Sequence, residues 1–588
     1  MEFTNLDYKR IEDALLNGLK LNKLQKEFIE LFETKTIIAG PGTGKTTSLA
    51  AKIALMLIDL NRNNKNEGIC IITHTNVAVN EINNALQKAG VGKIKHPHFI
   101  GTIHEFFNKF CVLPLFKIAF KNNNLHFPDK NQPDHNNIDT YISLLSRKYR
   151  WMDEGVKKSI ARRIDSSNLI INTEERRIDI ENTNNWDKFD KYKDDMLRFK
   201  IKRKSQGYIT HSDTFLFSEY FLFNKRMVEI LRNRFKYVFI DEFQDTNKHG
   251  ERLLDNLFKT DKNIIQKIGD PFQTIGFGEV MPEIKKDDIF RLNISNRFGS
   301  ALGNQLNIII PEAQIETKEE ISSFNPILLA YNNPESVGLA YNRIIEKLSK
   351  ESLTFNSNKK RDSILVLRKD TTKKYFNIEY KEDKKKKKDS IVSELKKLIV
   401  KFIHKKIMEV EIDQTIEVRK WILSHRNIPE INSLLVDVLK NGLNDTLTIK
   451  IRDEINCLLK ERAITEIKRN NKLFKDIEEI VNKTLNTEDQ NYIENQISTI
   501  HSVKGETHRS VLLLDFEKKP LTKILMNRYL SPDIEEDIDF INRNLLYVAM
   551  SRPTHLFIYA INEEELTDEI KTKFIDQYWD IKYVQEFI

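Results

Sequence analysis

Short apolar runs alternate with longer helical patterns along most of the chain. Each run is a few residues long and is followed by small or polar residues, which is typical of a buried strand. The predicted strands lie at residues 36–38, 69–73, 99–101, 237–240, 264–268, 325–331, 363–368, 511–515 and 556–560. Strands that alternate with helices predict an α/β fold, in which parallel sheets are flanked by helices.

Two stretches interrupt this pattern and predict inserted helical subdomains. Residues 110–206 carry basic clusters between Asn-rich spacers, and residues 372–492 are highly charged and mostly helical in pattern. The second stretch contains five consecutive lysines, a run that predicts a solvated loop, with DNA contact as the alternative. The predicted domains are 1–109 with 207–300, the insertion 110–206, 301–371 with 493–588, and the short insertion 372–492.

Composition and charge narrow the class of protein without defining its function. The 588 residues carry a formal net charge of +8, which suits a polyanionic partner. Cys70, Cys111 and Cys457 are isolated, so neither a disulfide framework nor a cysteine metal site is predicted. No signal segment and no apolar run of roughly 20 residues is present, so we expect a cytoplasmic protein with no membrane contact.

The segment Ala-Gly-Pro-Gly-Thr-Gly-Lys-Thr-Thr at 39–47 follows a predicted strand and opens a predicted helix. This context is typical of a phosphate-binding loop, because backbone N–H groups of such a loop surround phosphate oxygens at a helix N-terminus. We expect ATP and Mg²⁺ as cofactors, with Lys45 at the β- and γ-phosphates and the Thr46 hydroxyl on Mg²⁺. A glycine-rich turn without a ligand is the alternative. The predicted nucleotide-binding residues of the loop are Gly40, Pro41, Gly42, Thr43, Gly44, Lys45, Thr46 and Thr47.

An acidic pair and two further polar residues complete the predicted hydrolysis site. Asp241 and Glu242 end the apolar run at 237–240. Asp241 is predicted to hold Mg²⁺, and Glu242 to orient and deprotonate the attacking water. Gln273, after the next predicted strand, is expected to sense the γ-phosphate, and Arg297 to stabilise charge on the phosphoryl group.

Polar residues at other strand ends predict contacts with the backbone of a nucleic acid. They are Thr73 and Asn76 after one strand, and Thr102 and His104 after the next. Each is also compatible with an ordinary helix N-cap. Gln25, in the helix before the phosphate loop, is predicted to bind adenine through both faces of its amide, with a solvated surface glutamine as the alternative.

An ordered series of segments resembles superfamily 1A DNA helicases of the UvrD/Rep/PcrA type. It consists of Gln25 and the segments AGPGTGKT, ITHTN, GTIHEFF, VFIDEFQD, GDPFQ, SNRF, STIHSVKGE and LLYVAMSR. The STIHSVKGE segment is similar to that of the 3′→5′ branch of the family. The compact chain also resembles the helicase subunit of Gabija-type antiphage systems, whose partner is an OLD-family nuclease.

The resemblance implies two RecA-like domains that share one ATP site and carry single-stranded DNA across both domains. Arg297 and Arg552 would stabilise the transferring phosphoryl group, and Glu506 would contribute to nucleotide binding. The expected DNA is single-stranded, or a duplex with a 3′ tail. The residues expected near DNA are Thr73, Asn76, Thr102, His104, Phe277, Thr499 and His501.

Three departures from the family pattern concern base stacking and nucleotide selectivity. Phe277 is the one aromatic residue in the stretch 274–278, where the family has several rings that stack on bases. Ser295 and Asn296 precede Arg297, so the tyrosine that stacks on adenine is missing. Glu506 follows Gly505 directly, one position earlier than the usual glutamate.

Two functional classes follow from these features. The first is an ATP-driven 3′→5′ single-stranded DNA translocase and helicase. The second is a DNA- or nucleotide-sensing ATPase subunit that regulates a partner nuclease in antiviral defence and unwinds little DNA itself. A scaffold protein with an inactive ATP site is a third, disfavoured class, because every expected catalytic residue is present.

Overall fold

The computed structural model describes residues 1–16, 18–127, 137–181, 190–276, 288–368, 391–410, 418, 421–423, 425, 427–441, 443–462, 464–468, 472–485, 497–516, 518–530 and 539–588. The strands are β1 (Lys35–Ala39), β2 (Gly68–Thr73), β3 (Phe99–Thr102), β4 (Leu169–Asn172), β5 (Arg177–Ile180), β6 (Phe235–Asp241), β7 (Ile264–Gly269), β8 (Ile289–Leu292), β9 (Ile294–Ser295), β10 (Glu316–Thr317), β11 (Ile327–Tyr331), β12 (Asp362–Val366), β13 (Ile497–Thr499), β14 (His508–Leu514), β15 (Pro553–Asn562) and β16 (Asp580–Tyr583). Each predicted apolar run coincides with one of these strands.

Helices occupy most of the chain between the strands. They span Asn5–Leu16, Lys23–Glu30, Lys45–Arg62, Asn76–Lys88, Ile103–Phe107, Leu113–Phe120, Asn137–Lys148, Glu154–Ser166, Lys193–Ser205, His211–Phe221, Lys225–Arg234, Lys248–Phe258, Ser300–Ile309, Val337–Glu351, Leu353–Ser357, Ile391–Met408, Ile428–Asn441, Asp445–Lys460, Lys472–Leu485, Pro520–Leu530, Phe540–Met550 and Asp568–Asp576. The alternation of strands and helices confirms the α/β prediction.

The chain divides into two compact units. Unit one comprises 1–332, 343–362 and 500–588, and unit two comprises 333–342 and 363–499.

The first sheet of unit one has six strands in the order β3-β2-β6-β7-β1-β8. Neighbouring strands are parallel, and Ile37 of β1 pairs with Ile268 of β7 on one side and Phe290 of β8 on the other. Both faces are covered, which explains why the strands are continuous apolar runs rather than alternating ones. Because the strands are parallel, the loops after β1, β6 and β7 all leave the same edge of the sheet.

Four further parallel strands of unit one are arranged as β14-β15-β11-β16. Leu512 of β14 pairs with Ile558 of β15, which pairs in turn with Ile327 of β11. The helix Phe540–Met550 leads directly into β15. Residues 551 and 552 form the short connection that carries the predicted arginine.

The segment predicted as a helical insertion combines helices with a β-ribbon that the sequence pattern did not predict. Strands β4 and β5 pair antiparallel, with Ile171 opposite Ile178. The helices around them bury a small core that includes Tyr141, Ile160 and Phe199.

Unit two consists of a strand pair and a helical cluster. Strands β12 and β13 are parallel, with Ile364 opposite Ile497. The described helices of this unit share a core of mostly aliphatic side chains that includes Leu435, Ile451 and Ile477. The five lysines at 384–388 lie outside the described residues.

Among the helices of the described ranges, none combines the length and the apolar content that a bilayer crossing needs.

Candidate nucleotide-hydrolysis site

The loop after β1 has the backbone of a phosphate-binding loop. Gly42 and Gly44 adopt φ angles of +78° and +77°, which favour glycine. A Cβ atom at Gly42 would lie 2.5 Å from both Arg297 Cβ and Ser295 Oγ, so no side chain fits there. Gly44 caps the helix Lys45–Arg62 without a side-chain hydrogen bond. The first N–H groups of this helix therefore form a site suited to phosphate oxygens.

Gln25 is buried against the phosphate loop rather than solvated. Its Nε2 donates to Thr43 O (3.1 Å), and its Oε1 accepts from the backbone N–H of Asn22 (2.9 Å). Asn22 and Gln25 form a reciprocal capping box at the start of the helix Lys23–Glu30. Gln25 thus lies beside the loop, while its predicted contact with adenine stays a prediction.

Lys45 lies between the two predicted carboxylates at the end of β6. Its Nζ is 3.4 Å from Asp241 Oδ1 and also forms a close ion pair with Glu242 Oε1. Burial alone would lower the pKa of Lys45, but the two carboxylates raise it above its usual value. The lysine is therefore charged and is held by groups that a triphosphate would replace.

The two carboxylates differ in environment although they are adjacent in sequence. Burial and the Glu242 charge raise the pKa of Asp241, against the opposing effect of Lys45. Burial would also raise the pKa of Glu242, but Lys45 and a hydrogen bond from Gln244 hold it below its usual value. Glu242 has φ +53°, a left-handed conformation that is strained for a non-glycine residue. Such strain at a strand end is typical of functional positions.

The oxygen atoms beside Lys45 suit a magnesium ion. Mg²⁺ prefers hard oxygen ligands and usually binds through one or two carboxylates together with substrate phosphates. Asp241 Oδ1 is buried and, apart from its ion-pair contact with Lys45, accepts no hydrogen bond from any residue that the structure describes. Thr46, in the first turn of the neighbouring helix, adds a hydroxyl. These donors fit the ion, and Thr46 and Asp241 are the residues that would hold it.

The loop after β7 places Gln273 opposite the arginine that follows the helix Phe540–Met550. Gln273 Nε2 donates to Asp270 Oδ2 (2.9 Å), and Arg552 Nη2 lies 3.4 Å from Gln273 Oε1. Tyr547 OH lies 3.4 Å from the same Asp270 oxygen. Burial raises the pKa of Asp270 to about 6. Residues from both sheets of unit one therefore meet at this point.

Arg297 and Arg552 form a cluster of positive charge. Arg297 Nη1 donates to Ser551 O (2.8 Å), next to Arg552 in the chain. Burial and the Arg552 charge lower the pKa of Arg297 to about 9, and burial lowers that of Arg552 to about 10. Within the described part of the chain, neither guanidinium forms an ion pair with a carboxylate. An anion such as a phosphate group would relieve this repulsion.

Ser295 and Asn296, which replace residues of the family pattern, bind the phosphate loop directly. Ser295 Oγ donates to Pro41 O (3.0 Å), and the backbone N–H of Asn296 donates to Gly42 O (2.8 Å). The position of the missing tyrosine is thus occupied by Asn296, and the loop is held by the Ser295 hydroxyl and the Asn296 backbone.

Glu506 makes its contacts away from the loop carboxylates. Its carboxylate forms a close ion pair with Arg361, and its backbone carbonyl accepts from Arg552 Nη1 at 3.4 Å. Its predicted contribution to nucleotide binding stays a prediction, and its observed connection to the site runs through Arg552.

The predicted DNA-contact residues of the first sheet cluster at the ends of β2 and β3. Thr73 is buried and donates to Thr75 O (3.0 Å), while Asn76 is exposed. Thr102 is the N-cap of the helix Ile103–Phe107 and forms a capping box. This agrees with the alternative interpretation of Thr102 as an ordinary N-cap. His104 packs against the rings of His211 and Phe215. DNA contact by these residues stays a prediction.

Of the remaining predicted DNA contacts, His501 lies next to the loop after β7. Its Nε2 is 3.0 Å from Ile275 O, and because a carbonyl only accepts, that nitrogen carries the proton. Thr499 ends β13 in unit two. Phe277 lies outside the described residues.

Several residues of the site were not singled out from the sequence. Gln244 bonds Glu242 and the Asp270 backbone, and Lys504 Nζ donates to Asp245 Oδ1 (2.6 Å) and Gln273 O (2.7 Å). Apart from the bond between Gln244 and Glu242, these contacts join residues far apart in sequence. Gln244 and Lys504 lie inside the motifs VFIDEFQD and STIHSVKGE, and this was the signal in the sequence that could have identified them. The motifs do not reveal which residues they contact.

The phosphate loop, the strand-end carboxylates and the paired arginines of two parallel sheets define a P-loop ATPase with two RecA-like domains. Residues 21–277 match the family model of the UvrD/REP helicase N-terminal domain. This segment of the chain, which carries the phosphate loop, Glu242 and Gln273, is therefore similar to the N-terminal domain of UvrD/REP helicases.

Three named relatives match different lengths of the chain. A Gabija protein, GajB, from Bacillus cereus (strain VD045) is 23% identical over 559 residues, covering 91% of this chain and 94% of that protein. A probable DNA helicase II homologue from Mycoplasma capricolum subsp. capricolum is 24% identical over 326 residues, 50% of this chain and 38% of the relative. One of the subunits of an ATP-dependent helicase/nuclease from Lactobacillus acidophilus is 32% identical over 93 residues, 15% of this chain and only 8% of that protein.

Proposed function

We propose that this protein is an ATP-driven 3′→5′ single-stranded DNA translocase that unwinds duplexes with a 3′ tail. The observation that carries the proposal is the meeting of Lys45, Glu242 and Gln273 from one sheet with Arg552 from the other. A site built from two RecA-like domains changes shape with its nucleotide, which is what a motor requires.

The roles of the residues follow from their positions. Lys45 transfers from the carboxylates to the β- and γ-phosphates, which frees Glu242 to accept a proton from the attacking water. Arg297 and Arg552 stabilise the charge that develops on the transferred group, and Gln273 reports its presence to the Asp270 loop. Mg²⁺ held by Thr46 and Asp241 supplies further charge stabilisation when bound.

The DNA side of the proposal rests on the motif series and on His501. His501 binds Ile275 O in the loop that also carries Gln273, so DNA at His501 and phosphate at Gln273 would act on one segment. The 3′→5′ direction rests on the resemblance of STIHSVKGE to that branch of the family. We place the protein in the cytoplasm, where ATP and DNA are both available.

Steady-state ATP hydrolysis with and without oligo(dT) tests the proposal. We expect DNA to stimulate wild-type hydrolysis, and Lys45→Ala and Glu242→Gln to reduce the stimulated rate by at least about 100-fold. Lys88→Ala and Glu81→Gln, at exposed positions of the helix Asn76–Lys88, serve as charge-matched controls and should hydrolyse like wild type. Hydrolysis that is indifferent to DNA would overturn the motor proposal.

The second candidate function is a sensing ATPase that regulates a partner nuclease in antiviral defence. It is favoured by the match to a Gabija protein along 91% of this chain. The Thr274 and Ile275 side chains are also buried, so this part of the loop offers no surface for base stacking. Co-purification with an OLD-family nuclease, together with DNA-dependent ATP hydrolysis but no strand displacement, would favour this function over the first.

A further inference from the structure

Gln244 connects Glu242, the residue with a strained backbone after β6, to the loop after β7. Its side chain is 4% exposed. Nε2 donates to Glu242 Oε2, and Oε1 accepts from the backbone N–H of Asp270 at 3.2 Å. One amide therefore spans the two segments that carry the base and the γ-phosphate sensor of the proposed reaction.

The orientation of this amide follows from its partners. A carboxylate oxygen only accepts and a backbone N–H only donates, so Nε2 must face Glu242 and Oε1 must face Asp270. Each end of the amide has one chemically allowed arrangement, and turning it over would break both bonds. The buried glutamine thus holds Glu242 Oε2 in one direction.

A glycine on β7 makes room for this arrangement. A Cβ atom at Gly269 would lie 2.0 Å from Gln244 Oε1 and 2.9 Å from Phe243 Cδ1. The glycine is therefore required by the amide of Gln244 and not by a left-handed backbone. A substitution at either Gly269 or Gln244 would therefore disrupt the hydrogen bond between Gln244 and the Asp270 backbone.

We propose that Gln244 is a positioning residue that holds Glu242 toward the attacking water and couples this orientation to the Asp270–Gln273 loop. The proposal rests on the function proposed above. When Gln273 and Arg552 engage the γ-phosphate, movement of the loop is transmitted through the Asp270 N–H to Gln244 and so to Glu242. Hydrolysis is then favoured only with the sensor loop in place.

Kinetics of Gln244→Leu and Gly269→Ala test this role. We expect kcat to fall by about 10- to 100-fold in both variants, while KM for ATP stays within about twofold, because a misplaced base impairs chemistry rather than binding. Gln87→Leu, an exposed glutamine on the helix Asn76–Lys88, is the matched control. A wild-type kcat in Gln244→Leu, or an equal loss in kcat and gain in KM, would overturn the proposal.

A double-mutant cycle separates positioning from a loss of folding. If Gln244 acts through Glu242, then Gln244→Leu should slow single-turnover hydrolysis by less than about twofold in the Glu242→Gln background. A loss in that background as large as in the wild-type background would show that Gln244 acts on the structure in general.

Hydrogen exchange supplies a readout that needs no nucleotide. We expect the Asp270 amide to exchange faster in Gln244→Leu and Gly269→Ala than in wild type, with the Gln87→Leu control unchanged. Unchanged exchange at Asp270 would contradict the contact itself. Wild-type protein without DNA-stimulated hydrolysis would overturn the proposed function instead, and the exchange experiment would still decide whether Gln244 holds the Asp270 loop.

Discussion

At the scale of single residues, Gly42 shows how the phosphate loop depends on its surroundings. Its φ angle of +78° and its distance to Arg297 and Ser295 both exclude a side chain. Pro41 O and Gly42 O accept hydrogen bonds from Ser295 and Asn296. The loop is thereby shaped by the segment that also carries the predicted arginine.

Alanine substitutions at Gly42 and Gly92 separate the effect of backbone strain from that of a steric clash with Arg297 and Ser295. Gly42→Ala should lower ATP affinity by at least about tenfold, because the new Cβ displaces Arg297 and the loop. Gly92 has φ +86°, but a Cβ atom added there would meet no atom within 4 Å, so Gly92→Ala carries the strain alone and should bind ATP like wild type. Fluorescent ATP-analogue titration measures both, and equal affinities in the two variants would refute the argument.

At the scale of elements, the buried Lys52 connects the helix Lys23–Glu30, which carries Gln25, to the helix Lys45–Arg62, which follows the phosphate loop. Lys52 Nζ donates to Phe28 O (2.7 Å) and to Leu31 O, the carbonyls at the end of the helix Lys23–Glu30. It also lies 4.6 Å from the Phe28 ring centroid. Gln25 and Lys52 thus attach the two ends of one helix to the phosphate-binding unit.

Removing this lysine should destabilise the protein. Lys52→Ala removes two buried hydrogen bonds and creates a cavity, at a cost of about 2–4 kcal/mol. Each carbonyl keeps one other donor, which is the Leu31 N–H for Phe28 O and Gln266 Nε2 for Leu31 O. We expect the melting temperature to fall by roughly 3–6 °C. Lys23→Ala, at a side chain of the helix Lys23–Glu30 that is 89% exposed, should melt within about 1 °C of wild type. A Lys52→Ala protein that melts with this control would show that the lysine is dispensable.

Elements were predictable where the sequence signal is local. Continuous apolar runs identified the central strands of both sheets because such strands are buried on both faces. The edge strands β8 and β16 were not predicted, since most of their residues are only half-buried. The β4–β5 ribbon was missed, since most of its residues are half-buried or exposed and its turn lies at 173–176 among charged residues. Local patterns also identified Lys45 and Glu242, but not their ion pair.

Contacts between distant segments account for the rest of the site. Gln244 to Asp270, Lys504 to Gln273 and Ser295 to Pro41 each join residues that no local pattern relates. Motifs identify which residues take part, whereas the hydrogen bonds between motifs become visible only in the folded chain.

At the scale of the whole molecule, directed movement along DNA distinguishes the proposed motor from a sensing ATPase. The first sheet supplies Lys45 and Glu242, and the helix before β15 leads to Arg552, so the proposed hydrolysis reaction would need residues from both sheets. A motor of this design moves along single-stranded DNA in one direction, whereas a sensing ATPase hydrolyses ATP without displacement.

The most direct measurement is the displacement of streptavidin from biotinylated oligonucleotides in the presence of ATP. A 3′→5′ translocase removes streptavidin from the 5′ end and leaves it on the 3′ end. We predict rapid displacement from the 5′ end by wild type, none from the 3′ end, and none from either end by Glu242→Gln. Displacement from the 3′ end, or ATP hydrolysis without displacement from the 5′ end, would contradict the account.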